Sequence, residues 1–216
     1  MPNRLALPPL YVILDAALLP SDPLQLTGKL LDVGVRLFQY RNKTAPALEI
    51  LQTSQSLSVD LLQRGATFIV NDRVDIAKLA GANGTHLGQC DLAVDAARRI
   101  IGRDGIIGIS THNLQQLSRA IDSDADYIAV GPVFATPSKR NPDPVVGLEL
   151  VRQARRLTRK PIVAIGGITL ERARSVVDAG ADCVAVISEI LAAKDPAARA
   201  AQFLEILSAA APSAEN

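Results

Sequence analysis

Residues 68–91 read FIVNDRVDIAKLAGANGTHLGQCD, and this stretch restricts the chain to few folds. Two short apolar runs each lead to a carboxylate. Phe68-Ile69-Val70 runs into Asn71-Asp72, and Thr85-His86-Leu87 runs into Gly88-Gln89-Cys90-Asp91. Between them Val74, Ile76, Ala77, Leu79 and Ala80 recur at helical spacing, and Gly81 stands where a helix stops. This is a strand-helix-strand unit, and a crossover of that kind makes its two strands parallel. Parallel neighbours carry their C-terminal ends on one edge, so Asp72 and Asp91 are expected to meet in space. Two converging carboxylates repel unless a cation or a shared proton intervenes. Oxygen-only ligands suit a hard cation such as Mg2+. The alternative use of Asp72 is as an N-cap for the helix beginning near Val74.

The same unit recurs along the chain. Strands are expected at residues 10–14, 35–40, 68–70, 85–87, 106–109, 127–130, 161–165 and 183–187. The helices between them are expected at 24–31, 46–65, 74–80, 92–101, 113–121, 147–157 and 169–179. One final helix is expected at 189–207. Pro46 is placed to open the second helix and Thr169 to cap the seventh. The segments Ala80-Gly81-Ala82-Asn83, Ser123-Asp124-Ala125-Asp126 and Ala179-Gly180-Ala181-Asp182 occupy equivalent places, each between a helix and the next strand. Eight such pairs in 216 residues point to a single (β/α)8 TIM barrel, near the lower size limit of that fold. A doubly wound open sheet is the alternative, but no GxGxxG motif supports it. The expected domain is one barrel over 1–216, ordered from about 10 to 207, with a small polar tail at 209–216 that frays.

Composition agrees where it bears on the fold. Apolar residues make up 48% of the chain but aromatics only 3%, which favours buried parallel strands covered by helices. A formal net charge of +1 gives no field to attract nucleic acid or an anionic membrane. Cys90 and Cys183 form no disulfide framework, no run has transmembrane length, and the start of the chain lacks a signal-peptide core. The expectation is a cytoplasmic protein acting on small molecules.

In a barrel, chemistry sits at the C-terminal strand ends. Those ends carry, in order, Asp15; Gln39, Arg41 and Lys43; Asn71 and Asp72; Gln89 and Asp91; Ser110 and His112; Thr136, Ser138 and Lys139; Gly166 and Gly167; and Ser188. Acids, cations, amides and bare backbone at one rim suit a magnesium diphosphate, the metal bridging acid and phosphate and Arg and Lys taking the other oxygens. Gly166-Gly167 and Ser188, each before a helix start, suggest a second anion site after strands seven and eight; a simple tight turn is the other use of a Gly-Gly pair. The expected chemistry is group transfer between two phosphorylated small molecules. His86 is expected to be a satisfied core histidine, and His112 to fix a helix start.

Seven blocks in register resemble the thiamine phosphate synthase family. They are Gln39-Tyr40-Arg41-Asn42-Lys43, Asn71-Asp72-Arg73-Val74-Asp75, His86-Leu87-Gly88-Gln89-Cys90-Asp91, Gly108-Ile109-Ser110-Thr111-His112, Gly131-Pro132-Val133-Phe134-Ala135-Thr136-Pro137-Ser138-Lys139, Ile165-Gly166-Gly167-Ile168 and Val186-Ile187-Ser188. The resemblance implies a (β/α)8 barrel that joins a hydroxymethylpyrimidine diphosphate to a thiazole phosphate, giving thiamine monophosphate and diphosphate. Carried over, Gln39, Arg41, Lys43, Asn71, Ser110 and Lys139 bind the pyrimidine diphosphate, with Arg41, Lys43, Lys139 and Ser110 as the catalytic set. Asp72 and Asp91 hold Mg2+. Thr136, Pro137, Ser138, Gly167, Ile187 and Ser188 hold the thiazole phosphate. Cys90 stands where the family commonly has an acid, and is expected to be a bystander. The resemblance leaves two rivals, a thiazole tautomerase and a non-catalytic phosphate-binding paralogue. Tautomerase-like members carry a histidine where this chain has Pro132.

Overall fold

The computed structural model describes residues 5–136 and 143–209. Its elements are β1 (Leu10–Asp15), α1 (Pro23–Asp32), β2 (Leu37–Arg41), α2 (Ala47–Gln63), β3 (Thr67–Asn71), α3 (Val74–Ala80), β4 (Gly84–Leu87), α4 (Val94–Ile101), β5 (Ile106–Thr111), α5 (Leu114–Asp122), β6 (Tyr127–Val130), α6 (Gly147–Leu157), β7 (Ile162–Ile165), α7 (Leu170–Asp178), β8 (Cys183–Val186), α8 (Ser188–Leu191) and α9 (Pro196–Ala209). The eight strands close in sequence order, all parallel, with β8 pairing back onto β1. This is the expected (β/α)8 barrel. Among the described residues no helix is long and apolar enough to cross a membrane.

Period-two alternation along each strand divides the apolar side chains into two layers. Leu10, Val12 and Leu14 of β1, Phe38 of β2, Phe68 and Val70 of β3 and Ile128 and Val130 of β6 pack outward against the helices. Tyr11, Ile13, Leu37, Ile69, Tyr127, Ala129, Val163, Cys183 and Ala185 fill the barrel interior. Tyr127 fits there because position 108 is glycine: a Cβ at Gly108 would overlap the Tyr127 ring.

The repeated helix-to-strand segments have a shared task at the N-terminal face of the barrel. Asn83 Oδ1 accepts from Phe68 N at 2.7 Å. Asp126 Oδ2 accepts from Ile107 N at 2.7 Å and from Arg98 Nη2 at 2.6 Å. Asp182 Oδ2 accepts from Ile162 N at 2.8 Å and from Arg155 Nη1 at 2.9 Å. Each side chain therefore satisfies the amide near the start of a strand, and two of them also anchor an arginine from the preceding helix. Asp126→Ala leaves the buried Ile107 amide and Arg98 without that acceptor. It is expected to destabilise the barrel by about 1–3 kcal/mol, read as a lower Tm in thermal unfolding. An unchanged Tm would show that this bond is dispensable.

The expected elements differ in several places. The single final helix is two, α8 and α9, because Pro196 has no amide to continue a helix and disfavours helical backbone at Asp195. Asp195 Oδ1 instead accepts from Ala198 N at 3.0 Å and starts α9. Thr169 precedes α7 in extended conformation but makes no capping bond with its side chain. The second strand begins at Leu37 rather than residue 35, since Val35 N bonds Leu30 O at 3.0 Å and Arg36 Nη1 bonds Leu31 O at 2.8 Å, holding both residues to the end of α1. Pro46 stands at the N-cap of α2, one position before its first helical residue.

Candidate functional site

The inward-facing series on each strand changes character toward its C-terminal end. On β1 it runs Tyr11, Ile13, Asp15; on β2, Leu37, Gln39, Arg41; on β3, Ile69, Asn71; and β4 and β5 contribute His86 and Ser110. The apolar members close the barrel floor, and most polar members open into a cavity of about 380 Å³ at the mouth. Gln39, Arg41, Lys43, Asn71, Asp72, Asp91, Ser110, Thr136, Gly167, Ile187 and Ser188 all line it. The structure thus brings together, around one cavity, every expected site residue that lies within the described part of the chain. Pro137, Ser138 and Lys139 lie outside the described residues.

The acids meet as the crossover requires. Asp72 is no helix cap: the cap position of α3 is Arg73, which makes no side-chain capping bond. Asp72 instead adopts left-handed backbone with φ 60°, a conformation that aspartate tolerates better than most side chains. Its amide bonds His86 O at 2.8 Å, tying the end of β3 to β4. Asp91 Oδ2 accepts from Gly88 N at 2.7 Å. Burial, then the adjoining Asp72 carboxyl, push the Asp91 carboxyl above its usual range, against the opposing pull of the Gly88 amide. Lys43 Nζ stands 2.9 Å from Asp72 Oδ2. Two crowded oxygen donors of this kind could hold a hard cation, which would relieve their repulsion. Cys90 is exposed and is not among the residues lining the cavity.

Arg41 is held from the side. Asp15, only 4% exposed, pairs with the Arg41 guanidinium across the β1–β2 register. Asp15 Oδ1 also accepts from Ala17 N at 3.1 Å, so the first loop fixes the arginine's support. Lower in the barrel, Gln39 Nε2 donates to the Tyr11 hydroxyl at 2.6 Å, and His86 Nε2 lies 2.8 Å from Ser110 Oγ. His86 is buried and satisfied, as expected of a core histidine, but it also borders the cavity.

The opposite wall is built of backbone. Gly166 and Gly167 have φ of 103° and 61°. A Cβ at Gly166 would lie 2.5 Å from Pro132 Cβ, and one at Gly167 would overlap the Ala135 carbonyl oxygen. Both glycines are therefore required by the turn and by its contact with the segment after β6, while Gly167 also faces the cavity. Ser188 opens α8, a single turn rather than the long helix expected there.

Sequence reasoning missed three neighbours. Arg172, in the first turn of α7, lines the cavity, donates to Gly167 O at 2.9 Å and lies 4.8 Å above the Phe134 ring. Tyr11 and Tyr127 place their hydroxyls inside the barrel. The tyrosines were readable by alternation with Ile13 and Ala129, and Arg172 only by its place in the first turn of the helix after Gly166-Gly167. His112 does more than start a helix: Nδ1 donates to Gly131 O at 2.5 Å and Nε2 lies 3.4 Å from Asp143 Oδ2. Asn113 is the residue that caps α5, accepting from Gln116 N at 2.9 Å.

Comparison with known proteins points one way. The family model described as thiamine monophosphate synthase (TMP-TENI) matches residues 10–190. The thiamine-phosphate synthase of Koribacter versatilis is 49% identical over 212 residues, covering 96% of this chain and 99% of its own length. That of Thermosynechococcus vestitus is 46% identical over 195 residues, and this chain spans 55% of its length. The structure of thiamine phosphate pyrophosphorylase from Pyrococcus furiosus superposes with a TM-score of 0.87 at 33% identity, over 94% of this chain and 97% of that one.

Proposed function

The chain belongs to the thiamine monophosphate synthase family, and from that premise we propose how its barrel mouth divides the work of the reaction. The activity is that of a transferase, a thiamine-phosphate synthase. It joins the methylene carbon of a pyrimidine diphosphate to the ring nitrogen of a thiazole phosphate and releases diphosphate. The observation that carries the division of labour is the arrangement of one cavity. The ends of β2, β3 and β4 bring Arg41, Lys43, Asp72 and Asp91 to it, and the ends of β7 and β8 and the start of α7 bring Gly167, Ser188 and Arg172.

No strong base or activated nucleophile is needed. The C–O bond to diphosphate breaks, leaving positive charge on the electron-rich pyrimidine methylene, and the thiazole nitrogen supplies the new electron pair. Arg41 and Lys43, with Lys139, take up charge developing on the departing diphosphate. Asp15 holds the Arg41 fork in place. Asn71, Gln39 and Ser110 orient the pyrimidine. Gly167 and Ser188 offer the thiazole phosphate backbone and hydroxyl contacts, with Thr136, Pro137, Ser138 and Ile187 beside them. Asp72 and Asp91 would hold Mg2+, which supplies charge neutralisation for diphosphate oxygens. The preset geometry of the two partners does the rest. The partners are small molecules, and an exposed free thiol at Cys90 supports a cytoplasmic location.

Diphosphate release by the purified protein is expected to need both substrates and a divalent metal. Full activity in excess chelator would remove Mg2+ from the scheme, and tight binding without turnover would favour the paralogue that binds without reacting. Tautomerisation of a carboxylated thiazole phosphate is expected to be absent. Pro132 has no side-chain proton, and both His112 nitrogens are engaged, by Gly131 O and by Asp143. NMR of the unisomerised thiazole incubated with the protein checks this, and enzymatic isomerisation persisting in His112→Ala would contradict it.

A further inference from the structure

A chain of hydrogen bonds crosses the barrel interior beneath the mouth. Gln39 Nε2 donates to the Tyr11 hydroxyl at 2.6 Å, and the Tyr11 and Tyr127 hydroxyls are 3.1 Å apart. The Tyr127 hydroxyl is 2.9 Å from His86 Nδ1, and His86 Nε2 is 2.8 Å from Ser110 Oγ. Five strands contribute: β2, β1, β6, β4 and β5. The His86 and Tyr127 rings are stacked with centroids 5.5 Å apart.

Donor counting sets the direction of these bonds. An amide N–H only donates, so Tyr11 oxygen accepts at that end. Each phenol owns one proton. If Tyr127 gave its proton to Tyr11, the buried Tyr11 proton would face only the Gln39 amide nitrogen, which cannot accept it, at the cost of an unmade buried bond. With Tyr11 donating to Tyr127, and Tyr127 to His86 Nδ1, every group is satisfied. The ring proton of His86 then sits on Nε2 and points at Ser110 Oγ. Ser110 has accepted, so its own proton is left for the cavity.

We propose that His86, locked as the Nε2–H tautomer by Tyr127, is a positioning residue that makes the Ser110 hydroxyl a hydrogen-bond donor to the pyrimidine diphosphate. This rests on the reading of Ser110 as a ligand of that substrate. A serine hydroxyl left to itself rotates to donate or accept. A phosphate oxygen or a bare ring nitrogen needs a donor, and the buried chain supplies one in advance of binding. The amide of Gln39, itself at the cavity, thereby sets the behaviour of Ser110 across the barrel.

The chain has two histidines, which makes the tautomers directly readable. In 15N NMR of histidine-labelled protein at neutral pH, His86 is expected to show a protonated Nε2 and a bare Nδ1. His112 is expected to be protonated at Nδ1, since Gly131 O can only accept. His112→Asn assigns the signals. A proton on Nδ1 of His86 overturns the proposal. Tyr127→Phe should release the lock: Nδ1–H signal appears on His86, and KM for the pyrimidine diphosphate rises about three- to tenfold with KM for the thiazole phosphate unchanged. An unmoved tautomer, or both KM values rising together, overturns the positioning role. Ser110→Ala with wild-type affinity for the pyrimidine diphosphate would instead overturn the substrate reading, whatever the tautomer.

Discussion

Asp91→Asn is expected to lower kcat on the order of 10²–10³-fold while the barrel stays folded. The substitution keeps an acceptor for the Gly88 amide, which Asp91 Oδ2 engages at 2.7 Å, and removes only the charge. Burial first, and the neighbouring Asp72 second, raise the proton affinity of Asp91, so in the free protein its ionised form is disfavoured. The sign for stability follows from linkage. A carboxyl whose folded pKa lies above its unfolded one favours the fold most at low pH, and that contribution is lost as pH rises through the folded pKa. At neutral pH the asparagine variant, spared that loss, is expected to melt at or above the wild-type temperature. The difference should vanish below the ordinary carboxylate range. Mg2+ is expected to raise the Tm of the wild type and not that of the variant. Asp72→Ala should lose activity as severely, and Cys90→Ser should change little, because Cys90 is exposed and does not line the cavity. Activity lost equally in Cys90→Ser and Asp91→Asn, or a metal-induced Tm rise surviving in Asp91→Asn, would overturn the assignment of the acids.

The meeting of Asp72 and Asp91 was legible in the sequence because it needs only one rule, that a crossover makes neighbouring strands parallel. The barrel was legible for the same reason, repeated eight times. What alternation alone could have added is the inward series Leu37–Gln39–Arg41 and Tyr11–Ile13–Asp15, which places Asp15 beside Arg41 once the β1–β2 register is known. The chain of hydrogen bonds through Tyr11, Tyr127 and His86 was beyond reach. It depends on the relative heights of five strands and on the missing side chain of Gly108, which leaves room for the Tyr127 ring. The split of the last helix is legible at Pro196, which has no amide to continue a helix. The uncapped Thr169 is the opposite case. Its residue type suits a cap, yet its hydroxyl makes no capping bond where the α7 start turns toward the mouth.

Gly167→Ala is expected to weaken use of the thiazole phosphate about a hundredfold, a loss of the size that a 1 Å misplacement of a bound group can produce. Two independent constraints act at this residue. Its φ of 61° lies in the left-handed region, which alanine adopts only at a cost, and an added Cβ would overlap the Ala135 carbonyl oxygen and lie 2.9 Å from Phe134 Cβ. Relief requires either the turn at the end of β7 or the segment after β6 to move, and both line the cavity near Thr136. Arg172 moves with them, because it donates to Gly167 O and stacks over Phe134. Arg41, Lys43 and the two acids come from the ends of β2, β3 and β4, whereas β7 pairs with β6 and β8, so KM for the pyrimidine diphosphate should hold while KM for the thiazole phosphate rises. Steady-state kinetics with each substrate varied in turn separates the two. If both constants rise together, or if kcat falls with neither KM changed, then Gly167 does not belong to a phosphate site distinct from that of the diphosphate.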